Sequence, residues 1–326
     1  MIVTSSRVIA ALSLFAALGE LGAQVGVAPR PTLAVAPSQP APGAVARLTL
    51  RAGADNPVAD VRGTLSGEPL HFVRVAGGAW HALGGVPVDA SRSVMARAEI
   101  RHTNGTVDSV QLVIAVPPPP RRRTEPLKVD TAFTAPPDPE RIARIERENL
   151  RARQVGKSSH ETPVMWTASF LRPRQSVITS MFGSGRVFNG ELSARHLGVD
   201  FRGAIGDTVR AANRGIVAVV DSFVLAGNVI YIDHGAGVVT GYFHLSKQLV
   251  QPGDTVSRGQ VIGLVGQSGR VTGPHLHWAA RYGEVTVNPL DLVTISSSWY
   301  PASAAAKAAR TRKDAARPGA PGTPRH

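Results

Sequence analysis

The sequence predicts a mainly β protein: an N-terminal β-sandwich, a helical linker and a compact antiparallel β domain toward the C-terminal end. Two observations carry this. Short apolar runs of alternating pattern recur between residues 25 and 117, and β-branched residues and glycines crowd residues 166–293. A third is the single clear helix-start signal, which falls between the two.

Residues 1–23 have the pattern of an export signal. Arg7 supplies the positive end, Val8 to Leu18 is a short apolar run, and Leu21-Gly22-Ala23 offers a small-residue cleavage site. The run is too short for a comfortable membrane span, and an uncleaved anchor is the competing reading. The expected location is the periplasm or the exterior.

In the 25–117 region, Ala46–Arg51 and Ala96–Arg101 alternate cleanly, Leu70–Val75 less strictly, and Val110, Leu112 and Ile114 share one face. Asn104-Gly105 between two such runs is a hairpin signal. Strands at this spacing read as a small antiparallel sandwich. His71 and His81 are expected to be ordinary strand residues.

The linker region, 118–165, opens on the run Pro117–Pro120 followed by Arg121–Arg123, which reads as a stiff, solvated spacer. Asp138-Pro139-Glu140 then starts a helix: a capping carboxylate, proline in the first turn and an acid near the positive end. Ile142, Ile145 and Leu150 give it a thin apolar stripe to about Arg153.

In the 166–293 domain, Gly215–Val220, Asn228–Ile232 and Val261–Val265 read as strands bounded by turns. Gly206-Asp207-Thr208-Val209 recurs as Gly253-Asp254-Thr255-Val256, which suggests two related turn-and-strand units. The last segment, 302–326, rich in Ala, Arg, Lys, Pro and Gly, reads as a disordered basic tail.

Composition narrows the partners. A net charge of +13 favours an anionic one, but aromatics at 5% offer little for stacking bases, so no nucleic-acid partner is expected. No other segment could cross a bilayer, so no stable span remains once the signal is removed. The chain has no cysteine, which rules out disulfides, thiolate metal sites and a lipidated N-terminal cysteine. The oligomeric state is left open.

The chemistry concentrates in three stretches. His275 and His277 lie two apart after the turn Thr272-Gly273-Pro274, so on a strand they face one volume. Alone, such a pair fits a polar strand edge as well as a metal site. His196 and Asp200, four apart in an extended stretch, also share a face. His196, Asp200 and His277 would together make the N/N/O set of a catalytic zinc site with an open fourth position. His244 follows a predicted strand and precedes a turn, where a side chain can reach a cleft.

These stretches carry a resemblance. From Phe170 to Leu292 the chain resembles the lysostaphin/LytM-type zinc metallopeptidases, which cut peptide bonds in peptidoglycan. The matching motifs run in order. They are Ser180-Met181-Phe182-Gly183 with Arg186; His196-x-x-x-Asp200-Phe201; Ile232-Asp233-His234-Gly235; Tyr242-Phe243-His244-Leu245-Ser246; Thr272-Gly273-Pro274-His275-Leu276-His277; and Asn288-Pro289-Leu290. The N-terminal sandwich and the helix resemble, more loosely, the immunoglobulin-like domain and linker that precede this peptidase in some members. The resemblance implies one Zn2+ per peptidase domain on His196, Asp200 and His277. It implies that His244 and His275 activate water and stabilise the transition state, and that peptidoglycan is the substrate. The glutamate-based pattern His-Glu-x-x-His is absent, in keeping with a histidine base. Arg186 and Asn189 are candidates either for the cleft lining or for a structural role, and His234 reads as structural. The alternative function is a non-enzymatic wall-binding activator of other hydrolases. D-alanyl cross-links are the expected bond, with glycine bridges still open.

Overall fold

The computed structural model describes residues 30–53, 57–119, 124–134, 138–190 and 192–294. The leader-like segment 1–23, the arginine run 121–123 and the basic tail 302–326 lie outside these. No helix among the described residues is long and apolar enough to cross a membrane.

The N-terminal part is a sandwich of two four-stranded antiparallel sheets. Its strands are β1 (Thr32–Ala36), β2 (Val45–Arg51), β3 (Val58–Leu65), β4 (Glu68–Pro69), β5 (Val73–Arg74), β6 (Trp80–Gly85), β7 (Arg92–His102) and β8 (Val107–Val116). One sheet has the order β1-β2-β6-β5 and the other β4-β3-β7-β8. Period-two alternation sends Leu48 and Leu50 from one sheet, and Ala96, Ala98 and Ile100 from the other, into one core. Asn104-Gly105 closes the β7–β8 hairpin, with Gly105 at φ +84°. Of the run 70–75, only Val73–Arg74 is strand.

After the proline–arginine run, the linker joins the second domain. Thr124–Leu127 forms β9, which pairs in parallel with β11 (Gly185–Phe188) of the second domain. The helix α1 runs Pro139–Ser159, six residues past the expected end. Asp138 caps it by accepting from the Arg141 N–H. The expected apolar stripe is not its buried face: Ile142 and Leu150 are exposed, and the buried residues are Ala152, Gly156 and Ser159. Small side chains let the helix approach the sheet closely, and Ser159 donates to the Asp233 carboxylate at 2.5 Å.

The second domain is built on one large antiparallel sheet, with β12 (Leu192–Arg195) and β9 flanking β11 in a separate three-stranded one. The large sheet comprises β10 (Ile178–Ser180), β13 (Val199–Arg202), β14 (Thr208–Arg210), β15 (Gly215–Phe223), β16 (Gly227–Asp233), β17 (Val238–Gln248), β18 (Thr255–Val256), β19 (Val261–Val265), β20 (His275–Tyr282) and β21 (Val285–Val287). Its main path is β10-β13-β20-β17-β16-β15-β18, and a short helix α2 (Pro289–Thr294) follows. The sequence echo is a structural one. Gly206 and Gly253 adopt φ +94° and +93°, which a β-carbon would oppose. Asp207 and Asp254 each accept, at 2.8 Å, a backbone N–H three residues earlier.

The two parts meet through specific bonds. Tyr282 Oη–H donates to the Pro69 carbonyl at 2.6 Å, and the Val45 N–H to the Asp291 carboxylate at 2.9 Å. His160 of the helix end bridges His71 (2.8 Å) and Glu68 (2.9 Å). His71 is therefore an interface residue rather than a strand residue.

His234 is a core histidine. Its Nδ1–H donates to the Arg214 carbonyl at 2.7 Å, Nε2 meets Thr240 Oγ1 at 2.8 Å, and Phe170 packs edge-on at 4.9 Å. Burial lowers its pKa to about 4. An unfolded imidazole takes up its proton near pH 6.5, whereas the native one refuses it until about pH 4. Stability is therefore lost as pH falls through that window. Thermal melting of wild type and H234Q from pH 7.5 to 4.5 should show the gap between them narrowing toward acid; a constant gap would contradict this.

Candidate metal centre and catalytic cleft

The centre follows from strand register. On β20, Leu276 and Trp278 point into the core, with no exposed surface, and His275 and His277 point the other way. On the neighbouring β13, Val199 and Phe201 take the core side and Asp200 the opposite one. Asp200 pairs with His277 in the β13–β20 register, so their side chains start as direct cross-strand neighbours. His196 enters from the turn between β12 and β13. Gly198 in that turn allows the approach, since a β-carbon there would collide with the His277 ring.

The three expected ligand atoms form a small triangle. His196 Nε2 lies 3.1 Å from Asp200 Oδ1 and 3.0 Å from His277 Nδ1, and the latter two are 2.9 Å apart. Zinc with N/O bonds of about 2.0–2.1 Å in a tetrahedron would hold its ligands roughly 3.3 Å from one another, so the observed triangle fits with little adjustment. His196 Nδ1–H donates to the Met181 carbonyl at 3.0 Å, which turns Nε2 toward the other two atoms. Burial lowers the His277 pKa to about 4, which keeps that ring neutral. Burial pushes the Asp200 carboxyl up, but the His196 and His277 imidazoles beside it outweigh this and hold it well below the usual carboxylate range. Two imidazole nitrogens and a carboxylate oxygen thus face one another in a buried triangle, an arrangement a dication satisfies. All three residues are buried.

Two further imidazoles complete the cleft. His244 does not follow a strand; it sits inside β17, at φ +62° and beside a shift in register with β16. That left-handed conformation is uncommon for a side chain with a β-carbon and turns His244 toward the site. Its Nδ1–H donates to the Ser268 carbonyl at 2.8 Å, and that of His275 to the Gly273 carbonyl at 2.8 Å. One loop, between β19 and β20, therefore orients both rings and leaves both Nε2 atoms as acceptors. The two rings are 4.9 Å apart, and His275 Nε2 is 3.7 Å from Asp200 Oδ1. Burial, with His275 and His277 nearby, holds the His244 pKa well below its ordinary value, so the ring is neutral. Phe243 stacks on His277 at 5.1 Å and 10°, fixing that ligand from the side away from Asp200's strand.

The sequence reading missed several groups here. Glu125, on β9, bonds Ser180 Oγ at 3.0 and 3.1 Å, and Ser180 in turn lies 3.0 Å from His196 Nδ1. Arg186 pairs with Asp200 and donates to Ser180 at 3.3 Å. Arg186 is thus a cleft residue as expected, whereas Asn189 is not: it bonds Val129 and Thr134 and pins the linker. Glu125, Arg186, Asp200, Arg270 and His275 share one cavity of about 330 Å³.

An N/N/O ligand set beside two imidazoles with free acceptor nitrogens is the constellation of a hydrolytic metal centre. Residues 194–289, which hold all five of these side chains, match the model of Peptidase family M23, and the chain carries a domain of that family. Among similar proteins, the peptidoglycan DD-endopeptidase ShyA of Vibrio cholerae is 51% identical over 85 residues, 26% of this chain and 20% of that one. The DD-carboxypeptidase/endopeptidase Mpg of Neisseria meningitidis is 39% identical over 118 residues, 36% of this chain and 27% of that one. The matched stretch thus spans only about a quarter of the length of these relatives. A crystal structure of an M23 peptidase from Pseudomonas aeruginosa superposes with TM-score 0.60 at 26% identity, covering 78% of this chain and 95% of that one. That coverage extends well beyond the M23 domain, so the likeness of fold includes part of the N-terminal half.

Proposed function

We propose that this protein is an exported zinc metalloendopeptidase that hydrolyses peptide cross-links of peptidoglycan. The observation that carries the reading is the convergence of His196, Asp200 and His277 within 3.1 Å of one another, with His244 and His275 beside them. Relatives named as peptidoglycan endopeptidases support the substrate, and the leader-like pattern of residues 1–23 supports export to the periplasm or cell wall. His196 Nε2, Asp200 Oδ1 and His277 Nδ1 would hold the zinc. Bound there, it supplies Lewis acidity toward a carbonyl oxygen and toward water.

The chain's own residues supply the proton traffic. Both His244 and His275 arrive with Nδ1–H committed to a carbonyl, so each offers a lone pair at Nε2 and no donor. One of them removes a proton from the attacking water. Only after that uptake can the imidazolium donate, to the carbonyl oxygen as it becomes anionic or to the departing amine. Burial of His244 keeps the resting pair ready to accept. Arg186 and Ser180 fix the orientations of Asp200 and His196. All five groups are in place, which favours hydrolysis over a wall-binding role that would need none of them.

Release of soluble fragments from dye-labelled sacculi by the zinc-loaded chain tests this reading. Release that a chelator stops and zinc restores is the expected result. Binding to sacculi without release, unaffected by chelator, would instead favour the activator role.

A further inference from the structure

Arg270 is unlike the other cations of the cleft. It lies on the loop between β19 and β20 that orients His244 and His275. Its guanidinium is half-buried, with Cζ 4.1 Å from the centroid of the Phe188 ring. Arg186, close by, already serves Asp200 and Ser180. Arg270 has no hydrogen-bonding or ionic side-chain partner among the described residues. Glu125 does not pair with it either, being bonded to Ser180 across the cavity. A guanidinium lying over an aromatic ring has lost water on that side and keeps other N–H groups for an acceptor. Its neighbour of like charge adds repulsion, which lowers its pKa after the larger effect of burial. An anion between Arg270 and Arg186 would relieve both costs.

We propose that Arg270, with Arg186 beside it, binds a free carboxylate of the substrate on the residue adjoining the scissile bond. The inference rests on the peptidase reading and specifies the bond. Arg270, Arg186 and His275 line the same cavity, and Arg186 contacts Asp200, which puts a carboxylate held by the two arginines on the residue next to the scissile bond. A carboxylate so placed belongs to a peptide bond whose amine side is a chain-terminal residue or the free-carboxylate centre of a diamino acid, as in D-alanyl cross-links. The interior of a glycine bridge has no such group. Arg270 is therefore a specificity residue, and the site selects D-alanyl cross-links over glycine bridges.

The test is equilibrium binding of one probe in two forms, acetyl-lysyl-D-alanyl-D-alanine as free acid and as C-terminal amide. The zinc-loaded full chain carries H275A so that neither form is cut. The acid should bind about tenfold to a hundredfold more tightly, the range for a charge-assisted hydrogen bond. R270Q should bind acid and amide alike, and R270K, which keeps the charge without the forked donors of the guanidinium, should retain part of the preference. Equal affinities in the H275A chain, or no binding of either form, would overturn the proposal. So would a preference that survives R270Q, which would place the carboxylate on the metal instead. A chain that binds the acid through Arg270 yet cuts no sacculi in its wild-type form would defeat the peptidase reading alone.

Discussion

H277A should lose its zinc and, with it, peptide hydrolysis by at least about a thousandfold, since even changes to groups that merely orient ligands cost 10- to 100-fold. The structure explains why no neighbour can substitute. His277 is locked between its register partner Asp200, the stacked ring of Phe243 and the Gly198 turn. Its loss leaves His196 and an ionised, buried Asp200, which offer two ligand atoms instead of three. The fold should persist, because the core side of β20 is carried by Leu276 and Trp278. Metal content per folded chain, with circular dichroism as the control, checks this. Full zinc occupancy in H277A would show that the ligand set is wrong.

H275A and H244A should give the opposite pattern: zinc retained at one ion per chain, and kcat lowered by about 10²- to 10⁴-fold, the usual worth of a positioned acid–base group. Neither ring is part of the ligand triangle, yet both hold an acceptor Nε2 set by a backbone carbonyl of the same loop. The double variant should lose less than the product of the single losses, because the two imidazoles act on one proton path. Either variant retaining wild-type kcat would remove that residue from the mechanism.

The convergence of His196, Asp200 and His277 was legible in the sequence because its spacing rules are local. His-x-His on a strand and His-x-x-x-Asp in an extended stretch each fix a face, and the register then brings the faces together. The mainly β architecture was legible for the same reason, through alternation and Asn-Gly punctuation. His244 was harder. Nothing in Tyr-Phe-His-Leu-Ser marks a left-handed residue, so the long strand β17 and its irregularity at His244 had no visible signal. The helix misled because apolar periodicity was taken to mark the buried face. Close approach to a sheet selects Ala152, Gly156 and Ser159 instead, leaving Ile142 and Leu150 in solvent. Glu125 and Arg270 were out of reach altogether. One comes from a linker strand added in parallel to β11, and the other from a loop that brings its guanidinium over Phe188. Both are products of tertiary placement, and short irregular segments carry no period from which to read it.

The central claim is tested most directly by mass spectrometry of muropeptides from purified sacculi incubated with the zinc-loaded full chain. Loss of cross-linked dimers, with monomers gained in proportion and both changes prevented by chelator and by H275A, is the predicted result. Dimers that persist under the wild-type chain with one zinc bound would contradict it.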